Sequence, residues 1–364
     1  MPQTPSFILP SPRLLPSPRS RRSQLPRPSR RRARCRATAS ASPRPLGPFP
    51  SVTPVGLGTW AWGNRFLFGY SPTDDAALQQ AFDTALARGV NLIDTADSYG
   101  TGNLNARAEI LLGKFLADSP LPTSDVIIAT KFASYPWRLT PDSIATAAAR
   151  SAERLGRPVD LGQIHWSASK YAPWQERALW DGLALARERG YVREIGVSNF
   201  GPKQLVRIDK YLREEKGVRL ATAQTQLSLL MRTPTEDGFL ETANKLGVGV
   251  IGYSPLCLGL LTGKYVREPP RGPRAVLFRS LRSEALVEKL REIGERKGGR
   301  TPGQVAIAWC LAQGVIVITG VRKAEHVEES VSASEITLSR EECAELVEVA
   351  RAGKQMIPNS FQTA

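Results

Sequence analysis

From about residue 52 onward, short apolar runs alternate with longer stretches of helical periodicity. The strand candidates are "VGLGTW" (55–60), "VNLIDTA" (90–96), "DVIIATK" (125–131), "LGQIHW" (161–166), "VREIGVSN" (192–199), "LATAQTQL" (220–227), "VGVIGYSP" (248–255) and "VIVITGV" (315–321). Between them fall helix-like stretches at 73–88, 104–118, 140–155, 175–189, 201–215, 235–246 and 302–313. Several open with Ser or Thr followed by Pro, as in "SPTDD", "LTPDS" and "RTPGQ". That is the chemistry of an N-cap and a first helical turn. Near-continuous apolar strands separated by helices indicate a parallel sheet covered by helices. Eight such units in about 310 residues predict an α/β fold, the (β/α)8 TIM barrel. The alternative is an open, doubly wound sheet.

Two segments stand outside the repeat. Residues 256–298 insert a loop and the helix "SEALVEKLREIGERKG" after strand seven. Residues 339–351, "SREECAELVEVAR", predict a C-terminal helix, followed by the tail "MIPNSFQTA". Additions on the carboxyl side of barrel strands can cover the mouth where chemistry occurs.

The net charge of +15 would suggest a nucleic-acid partner if it were spread over the chain. It is not. Residues 1–50 hold 11 arginines, 12 prolines and 8 serines, with no Lys, Asp or Glu, which leaves 38 basic against 34 acidic residues elsewhere. Such a segment buries too little apolar surface to fold. Arg-rich, Ser-rich and free of acids, it reads as an organelle transit peptide. The proline content disfavours a mitochondrial presequence helix, so a chloroplast stromal destination is expected, with removal near Cys35 to Ser42. A disordered basic arm binding nucleic acid is the alternative. Residues 1–45 are thus read as transit peptide and linker, and 46–364 as the barrel. No apolar run approaches the roughly 20 residues that span a bilayer, so neither membrane nor nucleic acid is expected as a partner.

Beyond Cys35 the cysteines are Cys257, Cys310 and Cys343, an odd number without a C-x-x-C spacing. Neither a disulfide framework nor a zinc site is indicated. With His165 and His326 as the two histidines, a multi-histidine metal site is excluded.

Polar residues gather at the carboxyl ends of the expected strands. Asp94 closes strand two, and Tyr99 follows five residues later. Lys131 ends strand three and His165 strand four; Ser198 and Asn199 end strand five; Gln224 lies in strand six; Tyr253 and Ser254 end strand seven. Singly, each has a bland reading as a cap, a solvated charge or a satisfied core residue. Parallel strands bring all these ends to one rim. A phenol with a pKa near 10 holds a transferable proton at neutral pH. A neighbouring ammonium lowers that pKa by stabilising the phenolate, so Lys131 is expected to make Tyr99 more acidic, with Asp94 fixing the lysine. An imidazole at His165 could donate a hydrogen bond to a substrate oxygen. The set suits proton delivery to a developing alkoxide, as in carbonyl reduction.

The chain resembles the aldo-keto reductases through "GLGTWAWG", "NLIDTADSYG", "IIATK", "LGQIHW", "IGVSNF", "AQTQLSLL", "GYSPLCLGLLTGKY" and "TPGQVAIAWCL", in order over about 52–340. By that resemblance, Asp94, Tyr99, Lys131 and His165 match the family's catalytic tetrad. Tyr99 would be the general acid, and His165 would orient the carbonyl. The resemblance implies NADPH as cofactor. Its nicotinamide would stack on Tyr253, its carboxamide would meet Ser198, Asn199 and Gln224, and Gly58, Thr59 and Trp60 would line the cavity. Ser254, Leu256, Gly259, Lys264 and Arg279 would follow the cofactor toward its pyrophosphate, and Gly320, Arg322, His326 and Glu329 would reach its adenine end. Arg322 could form a bidentate contact with the 2′-phosphate. Thr319 stands where the family usually has proline, and Ser330 where it usually has asparagine. Neither "GTGNLN" (100–105) nor "GLLTGKY" (259–265) completes the glycine pattern of a phosphate-binding loop.

The first and third strand–helix loops supply Trp60, Trp62, Phe66, Phe68, Tyr70, Trp137 and Arg138, and Trp166 follows the histidine. Trp62, Trp137 and Trp166 are the expected substrate-pocket residues, since an aromatic pocket with few polar groups suits a flat ring aldehyde. These loops and the terminal "NSFQT" are similar to those of the chloroplast pyridoxal reductase group. That similarity implies reduction of pyridoxal to pyridoxine in vitamin B6 salvage. A broad detoxifying aldehyde reductase is one alternative. A cofactor-bound regulatory subunit of a membrane protein is another.

Overall fold

The protein is described by a computed structural model covering residues 42–100, 106–265 and 283–353, with 275, 278, 281 and 363. Residues 1–41 of the transit-peptide reading lie outside these, as does Arg279, whereas Arg44 and Pro45, expected in its linker, belong to the strand Arg44–Leu46. The expected strands close into a barrel of parallel strands, which excludes the open sheet. They are β3 (Val55–Gly58), β4 (Leu92–Asp94), β5 (Ile127–Phe132), β6 (Val159–Ile164), β7 (Val192–Ser198), β8 (Thr222–Gln226), β9 (Gly249–Tyr253) and β10 (Ile316–Gly320), with β10 pairing back onto β3. Helices follow the strands at Asp75–Ala87, Arg107–Asp118, Pro141–Leu155, Glu176–Glu188, Pro202–Lys216, Phe239–Leu246 and Pro302–Ala312, and a further helix, Ala324–Ser332, completes the eighth unit. The helices Glu284–Arg296 and Arg340–Ala352 are the two additions. Where capping chemistry is strong, the ends follow it. Thr301 accepts from the Gln304 amide and Ser339 from the Glu342 amide, each in a reciprocal capping box.

One element was not expected. The strands β1 (Arg44–Leu46) and β2 (Phe49–Val52) form an antiparallel hairpin. It stoppers the amino end of the barrel: Leu46, Phe49 and Val52 are buried with Leu92, Ala129, Leu161, Ala221, Ile251, Ile316 and Ile318. The turn needs glycine, because Gly47 has φ +53° and a Cβ there would lie 2.3 Å from the Ala221 carbonyl oxygen. With that end sealed by apolar side chains, the polar groups of the barrel are left at the carboxyl rim.

Candidate active site

Asp94 and Lys131 face each other across the β4–β5 pair and are each 1% exposed. Lys131 Nζ lies 2.5 Å from Asp94 Oδ1 and donates to the Thr95 carbonyl at 2.8 Å. The other carboxylate oxygen, Oδ2, accepts from Gln224 Nε2 at 2.7 Å and lies 3.5 Å from Gln163 Nε2. Such donors satisfy the oxygens of the buried carboxylate and offset its desolvation. Tyr99 stands over the pair, with Lys131 Nζ 4.9 Å from its ring centroid and hydrogen-bonded to its hydroxyl. His165 meets the Tyr99 ring edge-on at 5.6 Å between centroids. The four side chains expected to act together therefore converge at one point of the rim.

Their protonation follows from burial first. Burial pushes the Tyr99 phenol up; the Lys131 charge and hydrogen bond oppose it, the Asp94 charge adds to it, and the net direction is upward. The expected influence of lysine on the phenol is present, its charge and hydrogen bond lowering the value, but the desolvation of phenolate outweighs it. Burial alone would lower the Lys131 value, but Asp94 and Tyr99 raise it on balance, so the amine stays charged. The His165 imidazole is pushed well below its ordinary value by burial, then by the charges of Lys131 and Arg138. At neutral pH the site therefore presents a protonated phenol, an ammonium and a neutral imidazole beside Asp94. That set can release a proton to a strong base forming beside it, with the ammonium ready to compensate the phenolate.

The backbone of His165 is held from both sides: its N–H donates to the Phe132 carbonyl at 3.0 Å, and its carbonyl accepts from Asn199 Nδ2 at 3.0 Å. Asn199 also accepts from the Tyr253 hydroxyl at 2.7 Å and is 3.2 Å from Ser198 Oγ. One asparagine thus joins the ends of β6, β7 and β9 and fixes the half-buried Tyr253 ring at the rim. Asn199, Ser254, Cys257 and Leu258 all have left-handed backbone. Among described non-glycine residues this conformation is uncommon, and such residues cluster where a binding surface imposes the strain. Thr59 is fully buried, and its hydroxyl is without a partner among the described residues. A flat ring surface at Tyr253 and an orphaned hydroxyl at the end of β3 fit a group carrying a planar ring and polar substituents.

Other expected contacts are placed differently. Gln224 is engaged with Asp94 through its amide nitrogen, leaving its oxygen as the atom that could meet a carboxamide. Trp62 is not a pocket residue. It is fully buried against Phe115, and its Nε1 donates to the Val321 carbonyl at 2.9 Å, which straps the first loop to the end of β10. Trp60 and Trp137 are exposed; Trp60 meets Phe68 edge-on, and Trp137 stacks on Tyr135 at 4.6 Å. Trp166 lies 4.9 Å from His165 between ring centroids, and its Nε1 donates to the Tyr171 hydroxyl at 2.8 Å. Arg138 folds back on its own loop, donating to the Ala133 carbonyl at 2.7 Å and pairing with Asp97 at 2.6 Å.

At the far end, Arg322 donates to the Phe68 carbonyl at 2.7 Å and pairs with Asp74 at 3.2 Å. His326 Nδ1 accepts from the Arg322 amide at 3.3 Å, and Glu329 accepts from the Thr301 hydroxyl at 2.8 Å. Gly320 and Lys264 are exposed, Gly58 is buried in β3, and Leu256 and Gly259 are half-buried. Sequence reasoning missed Gln163, the Asp97–Arg138 pair and Ser98, whose hydroxyl lies 3.2 Å from His165 Nδ1. For Asp97 the signal was present: a second acid beside Asp94, with a cationic residue in the next loop.

Residues 54–351 match the Aldo/keto reductase family. The chain is 47% identical over 326 residues to the chloroplastic pyridoxal reductase of Arabidopsis thaliana, covering 87% of this chain and 88% of that protein. Among solved structures it is similar to the glycerol dehydrogenase AKR11B4 from Gluconobacter oxydans, with a TM-score of 0.70 and 27% identity over 90% of this chain and all of that one. It is also similar to a thermostable aldo-keto reductase, Tm1743, crystallised with the inhibitor epalrestat, with a TM-score of 0.67 and 28% identity over 84% of this chain and 98% of that one. The barrel, the rim chemistry and these likenesses agree: the chain belongs to the aldo/keto reductase family and is an oxidoreductase.

Proposed function

We propose that the protein reduces pyridoxal to pyridoxine, with Tyr99 as the general acid. The observation that carries the mechanism is the convergence of Lys131, Asp94, Tyr99 and His165 at the sealed barrel's open end. Bound NADPH supplies the hydride. His165, neutral, donates a hydrogen bond that holds the carbonyl oxygen toward Tyr99. As negative charge grows on that oxygen, Tyr99 releases its proton to it, and Lys131 stabilises the phenolate left behind. Asp94 keeps the ammonium charged and aimed. Tyr253, Asn199, Ser198, Gln224 and Thr59 would hold the nicotinamide end of the cofactor. The substrate assignment is supported by the 47% identity to the Arabidopsis enzyme and by the aromatic surroundings of His165. The segment preceding the hairpin, with removal near Cys35 to Ser42, would deliver the enzyme to the chloroplast stroma.

An NADPH-consumption screen over an aldehyde panel tests the substrate. Pyridoxal is expected to give the highest kcat/KM, and a small aliphatic aldehyde such as methylglyoxal outperforming it would refute the assignment. Turnover of no aldehyde, with tight NADPH binding retained, would point to a regulatory subunit.

The protonation states give a pH dependence. Reduction needs Tyr99 protonated and His165 neutral. Because burial holds the Tyr99 phenol above the ordinary tyrosine value and the His165 imidazole well below the ordinary histidine value, kcat for reduction should be flat across neutral pH and fall only in strong alkali. A limb near pH 6.5 would mean that His165 titrates as an ordinary histidine.

Arg322 is proposed to meet the 2′-phosphate, exchanging its present contacts with Phe68 and Asp74 for that group. A charge-assisted hydrogen bond contributes about 1.5–3 kcal/mol. Arg322→Ala should therefore raise KM for NADPH roughly 10- to 100-fold and leave KM for NADH nearly unchanged. Equal effects on both cofactors would count against phosphate recognition.

A further inference from the structure

The ring of His165 has one polar side chain against its Nδ1 among the described residues: the Ser98 hydroxyl, at 3.2 Å. Either atom could donate in that contact, and the choice decides which nitrogen of the neutral ring carries the proton. A third group bears on it. The Tyr135 hydroxyl is shut off from solvent beside Ser98 and makes no well-directed hydrogen bond to any described residue. Its ring is fixed by stacking against Trp137 and by an edge contact with Trp166. The loop carrying it is clamped in turn, since Gln175 Nε2 donates to the Tyr135 carbonyl at 2.6 Å and to the Arg138 carbonyl at 2.9 Å.

A buried phenol must satisfy its O–H, and a phenol is a stronger donor than an aliphatic alcohol. Ser98 Oγ is the acceptor within its reach. With that lone pair receiving the Tyr135 proton, the serine's own proton is left to point at His165 Nδ1. Nδ1 is then an acceptor, and the ring proton resides on Nε2, at the opposite edge of the ring.

We infer that Ser98, oriented by Tyr135, is a positioning residue that fixes His165 in the tautomer able to donate from Nε2. The inference deepens the proposed function and rests on it for the purpose of that donor, which is to hold the carbonyl oxygen. It gives a role to a serine that neighbours the general acid in sequence. It also accounts for Tyr135, whose stacked position on the third loop places its hydroxyl one hydroxyl group away from the imidazole. No proton needs to travel along the relay; its effect is to remove the ambiguity between two tautomers.

The chain's two histidines make the test direct. In full-length protein labelled with 15N in the imidazole rings, two-bond couplings at neutral pH report which nitrogen of each ring is protonated, and a His326→Gln sample identifies the His165 signals. A single Nε2–H tautomer is expected for His165 in the wild type and in Ser98→Thr. Ser98→Ala should show a mixture of tautomers, and Tyr135→Phe a smaller shift in the same direction. In parallel, Ser98→Ala should lower kcat/KM for the aldehyde roughly tenfold, the size expected of one neutral hydrogen bond, leave the Kd for NADPH unchanged, and be rescued by Ser98→Thr. A proton on Nδ1 in the wild type, or an undisturbed Nε2–H tautomer in Ser98→Ala, would overturn the inference. The spectra are independent of turnover. An enzyme inactive toward every aldehyde but showing the expected tautomers would overturn the proposed activity and leave Ser98's role standing.

Discussion

Replacing Tyr99 with phenylalanine should lower kcat for aldehyde reduction by about 10²–10⁴-fold, the usual contribution of a positioned general acid, and leave the Kd for NADPH within about twofold. The substitution removes one oxygen and keeps the ring that packs beside Lys131 and His165, so little else at the rim changes. Lys131 loses its bond to the phenol but retains Asp94 and the Thr95 carbonyl. Tyr99 is not among the groups proposed to touch the cofactor's polar substituents, so fluorescence titration of NADPH should be insensitive to its loss. A Tyr99→Phe enzyme that loses cofactor binding, or that keeps more than about a tenth of its turnover, contradicts the assignment of the proton donor.

Lys131→Met should fail in two separable ways. Turnover should drop by at least about 10²-fold, because the phenolate formed during reaction would be left without its cation. Stability should drop as well. Asp94 is buried, and breaking a buried ion pair from one side costs about 3–5 kcal/mol by leaving the other charge uncompensated. The double variant Lys131→Met/Asp94→Asn removes that charge while leaving Gln224 a partner, so it should regain most of the lost stability and none of the turnover. Thermal unfolding and kcat measured on the same three proteins separate the effects. Recovery of activity together with stability in the double variant would mean that lysine acts only as a structural partner for Asp94.

Most of the fold was legible because parallel barrel strands are buried on both faces, and runs such as "DVIIATK" and "VIVITGV" announce themselves without alternation. The hairpin Arg44–Val52 was not, because Pro45, Pro48 and Pro50 obscure its strand character. Proline is tolerated there because these strands pair with each other at an edge, outside the closed barrel. At the site, the rim residues could be picked out because strand ends in a parallel barrel converge whatever their separation in sequence. Which way a loop side chain turns is another matter. Trp62 and Trp166 look alike in sequence, yet one packs under the first loop and the other beside His165. Gln224 sits where a cofactor ligand was expected, and its amide nitrogen proves to support Asp94. The direction of the Tyr99 shift depends on how completely the phenol is desolvated, which no residue pattern reveals. Ser98 escaped notice because a loop serine is ordinary, and only the distance to Nδ1 distinguishes it.

The central claim is that the Tyr99 hydroxyl, backed by Lys131, is the group that exchanges a proton with the substrate's oxygen. A crystal structure of the enzyme with oxidised cofactor and pyridoxine would test it most directly. The account predicts Tyr99 Oη and His165 Nε2 both within about 2.6–3.2 Å of the alcohol oxygen, with Lys131 behind the phenol and still paired to Asp94. An alcohol oxygen bound to some other donor, with Tyr99 turned away from it, would contradict the mechanism.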